Sequence, residues 1–247
     1  MTTTEGPATA TRPRTDRTRN HVRAAGALYL VTFAASIPAL LLIAPVLDHT
    51  DYITGDGADT RVLWGCLLDM VSALACVGTA VTVFPAVKRH SEALALGFVT
   101  SRLVEAGIIL VGVVSLLSVV TLRQDLTGTT GAPGADTAAL ATTGQALVAV
   151  RDWTFLLGPG FMSGVNALLF GTLLYRSGLV PRFIPAMGLV GAPLLLASGI
   201  ATFFGHHDQL SAWSFLATLP VAAWELAVGT WMLVKGFRPP AVTTEQA

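Results

Sequence analysis

The chain has 247 residues and equal numbers of acidic and basic side chains, so its net charge of zero argues against a nucleic-acid partner. Charged residues make up 12% of it and apolar residues 53%, whereas an ordinary soluble domain carries roughly a quarter charged residues. Apolar runs of about 20 residues, long enough to cross a hydrocarbon core about 30 Å thick, exclude a soluble globule and indicate an integral membrane protein.

Residues 1–20 are rich in Thr and Arg without periodicity and are expected to form a disordered tail. No short apolar core with a small-residue cleavage site follows, so a removable signal peptide is not expected. The first span is predicted over 21–47, with Pro38 and Pro45 inside it. A loop with Asp48, Asp51, Asp56 and Asp59 leads to a second span over 61–84. The basic turn Lys88-Arg89-His90 precedes a third span over 93–122, and a Gly-, Thr- and Ala-rich loop precedes a fourth over 145–175. A fifth span is predicted over 183–204 and a sixth over 210–234. The expectation is an all-α bundle of six transmembrane helices over 21–236, with a short tail at 237–247.

Orientation follows from the distribution of Lys and Arg. With the N-terminus inside, eleven of them fall on the inner side, while the outer side holds Arg61, Arg123 and Arg151. The asymmetry predicts a multi-pass protein of the cell (inner/plasma) membrane with both termini in the cytoplasm.

Polar groups at membrane depth carry the functional signal, because ionisable side chains there are costly and usually face the bundle interior. The candidates for ligand binding or proton carrying are Asp69, Arg102, Glu105, Asn166 and Glu225. Arg102 and Glu105 stand at i and i+3 and share a helix face. Gly65, Asp69, Ser72, Cys76 and Thr79 form a small and polar stripe on the second span, and Tyr29, Thr32 and Ser36 form one on the first. Such stripes pack closely or line a cavity. Counted this way, three acids surround the one base Arg102, leaving two negative charges in excess if all are ionised. Either an acid is neutral or a cation completes the cluster. Glu225 has no basic neighbour on its own helix face and is the favoured proton carrier.

The fourth span is broken by Gly158-Pro159-Gly160, which removes a backbone donor and loosens the helix. It reads as a proline kink, or as a hinge lined by freed carbonyls. Gly160 and Gly164 stand at the spacing of a close helix contact. His206-His207-Asp208, with His49 on the same side, lacks the fixed ligand spacing of a metal site, so no metal is expected. Cys66 and Cys76, ten residues apart on one helix, lie about 15 Å apart along its axis and cannot bridge. Trp213, Trp231 and Tyr175 read as interface anchors, and Trp224 as a wall of the polar cavity. No phosphate-binding glycine loop, nucleophile elbow or His-Glu-x-x-His motif is present.

Three stretches carry a family resemblance: Arg23-Ala24-Ala25-Gly26-Ala27-Leu28-Tyr29-Leu30, Arg102-Leu103-Val104-Glu105-Ala106, and Trp224-Glu225-Leu226 with Trp231-Met232-Leu233-Val234-Lys235-Gly236. Together the chain resembles, from about Asn20 to Arg238, the uncharacterised bacterial multi-span membrane family known as domain of unknown function 4386. The resemblance implies a bacterial inner-membrane protein and supplies no reaction, cofactor or site residue.

The leading expectation is small-molecule or proton-linked binding or transport, with Arg102 for an anionic group and Glu105 and Glu225 as its partners. The alternatives are an intramembrane enzyme acting on a lipid or small molecule, with a carboxylate as acid or base, and a structural or assembly subunit with no ligand. The expected partners are the lipid bilayer and a small-molecule or lipid ligand. Cofactor and oligomeric state are left unknown.

Overall fold

The computed structural model describes residues 14–48, 52, 58–128 and 137–238. Most of the expected N-terminal tail, His49, Asp51, Asp56, much of the loop after the third span and the last nine residues lie outside them. All regular elements among the described residues are helical. They are α1 (Arg14–Asp48), α2 (Asp59–Val87), α3 (Glu92–Gly128), α4 (Thr137–Phe155), a π-helical turn (Leu156–Met162), α5 (Ser163–Ser177), α6 (Phe183–Phe203) and α7 (Ala212–Val234). With α4, the π-turn and α5 running on as one rod, six stretches are long and apolar enough to cross a membrane. Only helices satisfy every backbone N–H and C=O within one segment, as the hydrocarbon interior demands.

Span ends follow local chemistry. Gly178 takes a left-handed conformation at φ 66° and closes α5, with its N–H donating to the Leu174 carbonyl at 3.1 Å. The Ser211 hydroxyl caps α7 by accepting from the Ser214 N–H at 3.3 Å. The rod containing α4 starts earlier than the hydropathy reading placed it, because its Thr- and Ala-rich first turns are helical without being apolar. Likewise α1 begins at Arg14, ahead of the apolar run.

The first half of α1 and the end of α7 meet at one end of the bundle. The Arg238 N–H donates to the Leu179 carbonyl in the α5–α6 turn at 2.9 Å. There α1 and α7 cross at backbone contact: a Cβ on Gly26 would meet Leu233 N at 2.4 Å and the Gly229 carbonyl at 2.6 Å. The neighbouring core joins Val22, Ala25 and Tyr29 of α1 to Phe98, Phe170, Trp224, Val228 and Met232. Phe98 and Phe170 stack at 4.5 Å between ring centroids. At the opposite end, which carries the long loops, Arg123 of α3 pairs with Asp59 at 2.5 Å, and the Tyr52 hydroxyl donates to the same carboxylate at 2.8 Å. Burial and that hydrogen bond push the Tyr52 hydroxyl's pKa up, so it stays a donor at neutral pH.

Cys66 and Cys76 are buried and unbridged. Trp213 and Tyr175 are exposed near span ends, as anchors would be. Trp231 instead packs against the core, with the Arg238 guanidinium 5.8 Å from its ring. Trp224 is fully buried against Gly188 and Phe170 and does not line the cavity described below, which corrects the expectation for it.

Candidate functional site

Arg102, Glu105, Ile109 and Gly112 recur at i, i+3, i+7 and i+10, and so line one face of α3. Arg102 lies ten residues into α3, about 15 Å from its start at 1.5 Å per residue. Its Nη1 donates to Glu105 Oε2 at 3.0 Å and its Nη2 to Glu225 Oε1 at 3.2 Å. Nη1 also points to Cys76 Sγ at 3.4 Å. The guanidinium carbon stands 4.8 Å from the Tyr29 ring centroid and 5.6 Å from that of Phe98. One side chain, 2% exposed, thus ties α3 to α1, α2 and α7. The fork geometry of Arg permits this, whereas a lysine point charge could not serve two carboxylates at fixed angles.

Of the three acids at membrane depth, Glu105 is the most heavily bonded. Besides Arg102, it accepts from Asn166 Nδ2 at 2.7 Å and from Ser163 Oγ at 3.4 Å. Asn166, fully buried on α5, accepts in turn from the Ser101 hydroxyl through its Oδ1. Glu225 has a single hydrogen bond among the described residues, the one from Arg102.

A second pair stands nearer the loop end. Arg151 Nη2 donates to Asp69 Oδ2 at 3.1 Å, and both side chains are buried. Gly112 makes room for it, since a Cβ there would meet Arg151 Cδ at 3.0 Å and Thr154 Oγ1 at 2.5 Å. The Arg151 guanidinium carbon lies 5.1 Å from the Phe155 ring centroid. Arg151 is the cavity residue that sequence reasoning missed: it was counted among outer charges although it falls inside the fourth apolar run. The grouping is therefore corrected. Asp69 belongs to Arg151, not to Arg102, and the interior holds three carboxylates against two guanidinium groups, an excess of one negative charge rather than two if all are ionised.

A cavity of about 440 Å³ connects the two pairs. All five charged residues line it, with Thr32 and Ser36 of α1 and Ser72 and Cys76 of α2, so the polar stripes of the first two spans face it. Thr154, Phe155, Pro159 and Ser163 line it from the broken fourth span. Pro159 has no N–H, so the preceding turn keeps a carbonyl without its helical partner, and the segment resolves this as a π-turn rather than a simple kink. Gly164 packs closely on Leu196 of α6, while Gly160 makes no comparable helix contact. Asn166 contributes through Glu105 and is not itself part of the lining. Ser36, Ile37, Phe215 and Thr218 line the cavity and are also exposed, so it reaches the surface between α1 and α7 beyond their crossing. Gln209, Leu210 and Ser214 carry the opening on to the loop end. There His207 Nδ1 lies 3.1 Å from the Thr202 hydroxyl and 3.3 Å from those of Ser211 and Ser214, so the His206-His207-Asp208 turn is organised by hydroxyls.

Six apolar spans packed around a buried charge network define a multi-pass α-helical membrane protein with a polar interior. The chain belongs to the family described as "Domain of unknown function (DUF4386)", whose model matches residues 24–236. Comparison with curated proteins and with solved structures finds no match.

Proposed function

We propose that this protein binds a small molecule inside the membrane, at the cavity between Glu225, Glu105, Arg102, Asp69 and Arg151, and serves its transport. The observation that carries the reading is the cavity itself. At about 440 Å³ it falls within the roughly 300–1,000 Å³ typical of small-molecule sites. A purely structural charge network would close around its ion pairs, because unfilled space beside buried charges forfeits packing contacts. Glu225, with one hydrogen bond and an edge on the cavity, is the proton-carrying candidate if transport is proton-linked. Arg102 is no longer favoured for an anionic ligand, because both of its Nη groups already donate to carboxylates. One observation favours an intramembrane enzyme as the second reading: the opening between α1 and α7 lies at membrane depth, where a lipid-soluble substrate could enter.

Native mass spectrometry of the purified protein tests the main reading. A co-purifying small molecule is expected, and it should be lost when Ser72→Phe fills the cavity. A clean apo mass for the wild type, with Ser72→Phe at least as stable as the wild type, would identify the cavity as a packing feature only.

The proposed setting is the plasma membrane with both termini cytoplasmic. Removing Arg151 from the outer charges leaves eleven basic residues against two, Arg61 and Arg123. In a cysteine-free background, a single cysteine near Gly131 should react with an impermeant thiol reagent in intact cells, and one at Ser91 should not. The opposite labelling pattern reverses the orientation.

A further inference from the structure

We infer that the molecule bound in this cavity is an amphipathic cation, an ammonium group carrying a short apolar chain. Its charge would be held by Glu225, and its chain would lie toward the opening between α1 and α7. The inference rests on reading the cavity as a binding site and adds the ligand's chemical class.

Four observations converge on it. The first is charge. Three carboxylates and two guanidinium groups line the cavity, and each guanidinium is already engaged by a carboxylate. With all five groups ionised, a ligand that adds one positive charge balances the interior, whereas an anionic ligand would double the imbalance in a medium of low dielectric constant. The second is the place where that charge fits. Glu105 is occupied by Arg102, Asn166 and Ser163. Asp69 is held by Arg151. Asp69 and Glu225 each give one oxygen to a guanidinium group and keep the other, and Glu225 is the one carried on α7, a helix that borders the opening.

The third observation is the rest of the lining. Phe33 of α1 is in the lining, and among the described residues no cation stands over its ring. Aromatic faces attract ammonium groups through the ring quadrupole. The fourth observation concerns donors. Arg102 and Arg151 are each more than nine-tenths buried and line the cavity, and the Nε of each has no hydrogen-bond partner in the protein. Buried donors ordinarily find an acceptor, so a hydroxyl or ether oxygen near the ammonium group would complete the fit. The opening supplies the apolar end. Ile37, Leu210 and Phe215 on its rim are exposed hydrophobic residues that would meet an alkyl chain arriving from the lipid. The cavity's volume admits a head group and a short chain but not a whole two-tailed lipid.

The experiment is calorimetric titration of the full chain in lipid nanodiscs, with empty nanodiscs as the partition blank. The probes are octyltrimethylammonium, octanoate and octanol. Saturable binding of the ammonium probe is expected, with weak or no saturable binding of the other two. A hydrogen-bonded or paired charge is strong enough that Glu225→Gln should weaken ammonium binding at least about tenfold. Glu225→Asp, which keeps the charge, should retain most of it. Ser36→Trp, on the exposed rim, should weaken it without shifting the melting temperature, which keeps the proposal testable should Glu225→Gln fail to fold. Tighter binding of octanoate, or unchanged ammonium binding in Glu225→Gln, overturns the cation assignment while leaving the cavity a binding site. If none of the three probes binds saturably, and wild-type protein also shows a clean apo mass, the binding reading falls with it.

Discussion

Arg102→Ala is expected to lower the unfolding free energy by on the order of 3 to 5 kcal/mol, the cost of removing one partner from a buried ion pair. The expectation follows from what is left behind. Glu105 and Glu225 would remain facing each other without their cation, Glu105 with a side chain 4% exposed and Glu225 with one 13% exposed. Cys76, Tyr29 and Phe98 would border the space the guanidinium leaves. Loop arginines set the scale for comparison: substituting Arg89, an exposed residue in the α2–α3 turn, should stay within about 0.5 kcal/mol. Arg102→Lys should fall between, because it restores the charge but not the fork that reaches two carboxylates. Unfolding curves in one detergent, read against Arg89→Ala, check all three. A curve for Arg102→Ala that overlays the wild type would mean that water reaches both carboxylates and that the site is not dry.

Much of this arrangement was legible in the sequence because it is local. The six spans follow from apolar runs longer than a bilayer is thick. The Arg102–Glu105 pair follows from i, i+3 spacing, and the stripe from Gly65 to Thr79 follows from helical periodicity. All five residues of that stripe are buried. What stayed illegible is long-range. Asp69 and Arg151 are 82 residues apart, and Arg102 and Glu225 are 123 apart. Nothing in a single chain states which helix faces meet. Arg151 was misplaced for a further reason: a basic residue seven positions inside an apolar run looks like an end-of-span anchor until a partner is known. Its signal was present all the same, since a lone acid at membrane depth on α2 requires a base somewhere at similar depth. The Gly158-Pro159-Gly160 break was visible, but its resolution as a π-turn depends on how neighbouring helices accommodate the freed carbonyl.

The two acids around Arg102 should respond differently to neutral replacement, and this separates structure from function. In Glu105 three donors converge on two oxygens, from Arg102, Asn166 and Ser163. A glutamine there can keep its oxygen for Arg102 and Asn166 and turn its NH2 to the Ser163 hydroxyl, which accepts as well as donates, so what is lost is the carboxylate charge that faces Arg102 in a dry interior. Leaving buried polar groups unmatched costs about 1–3 kcal/mol and more when one is charged. Glu105→Gln is therefore expected to destabilise by at least about 2 kcal/mol on that scale. Glu225→Gln can keep its carbonyl oxygen on Arg102 Nη2 and turn its NH2 group into the cavity while Glu105 still holds the guanidinium, so the expected loss is smaller than for Glu105→Gln. The order of stabilities at neutral pH is thus wild type, then Glu225→Gln, then Glu105→Gln, read from unfolding curves under identical conditions. The order of ammonium binding should not follow it: Glu225→Gln loses binding while it keeps its fold, which a merely structural glutamate could not do. Should Glu225→Gln prove the more damaging to stability, Glu225 is the principal counter-ion of Arg102. The cation would then have to be held at Glu105, beside Asn166 and Ser163, or the assignment abandoned.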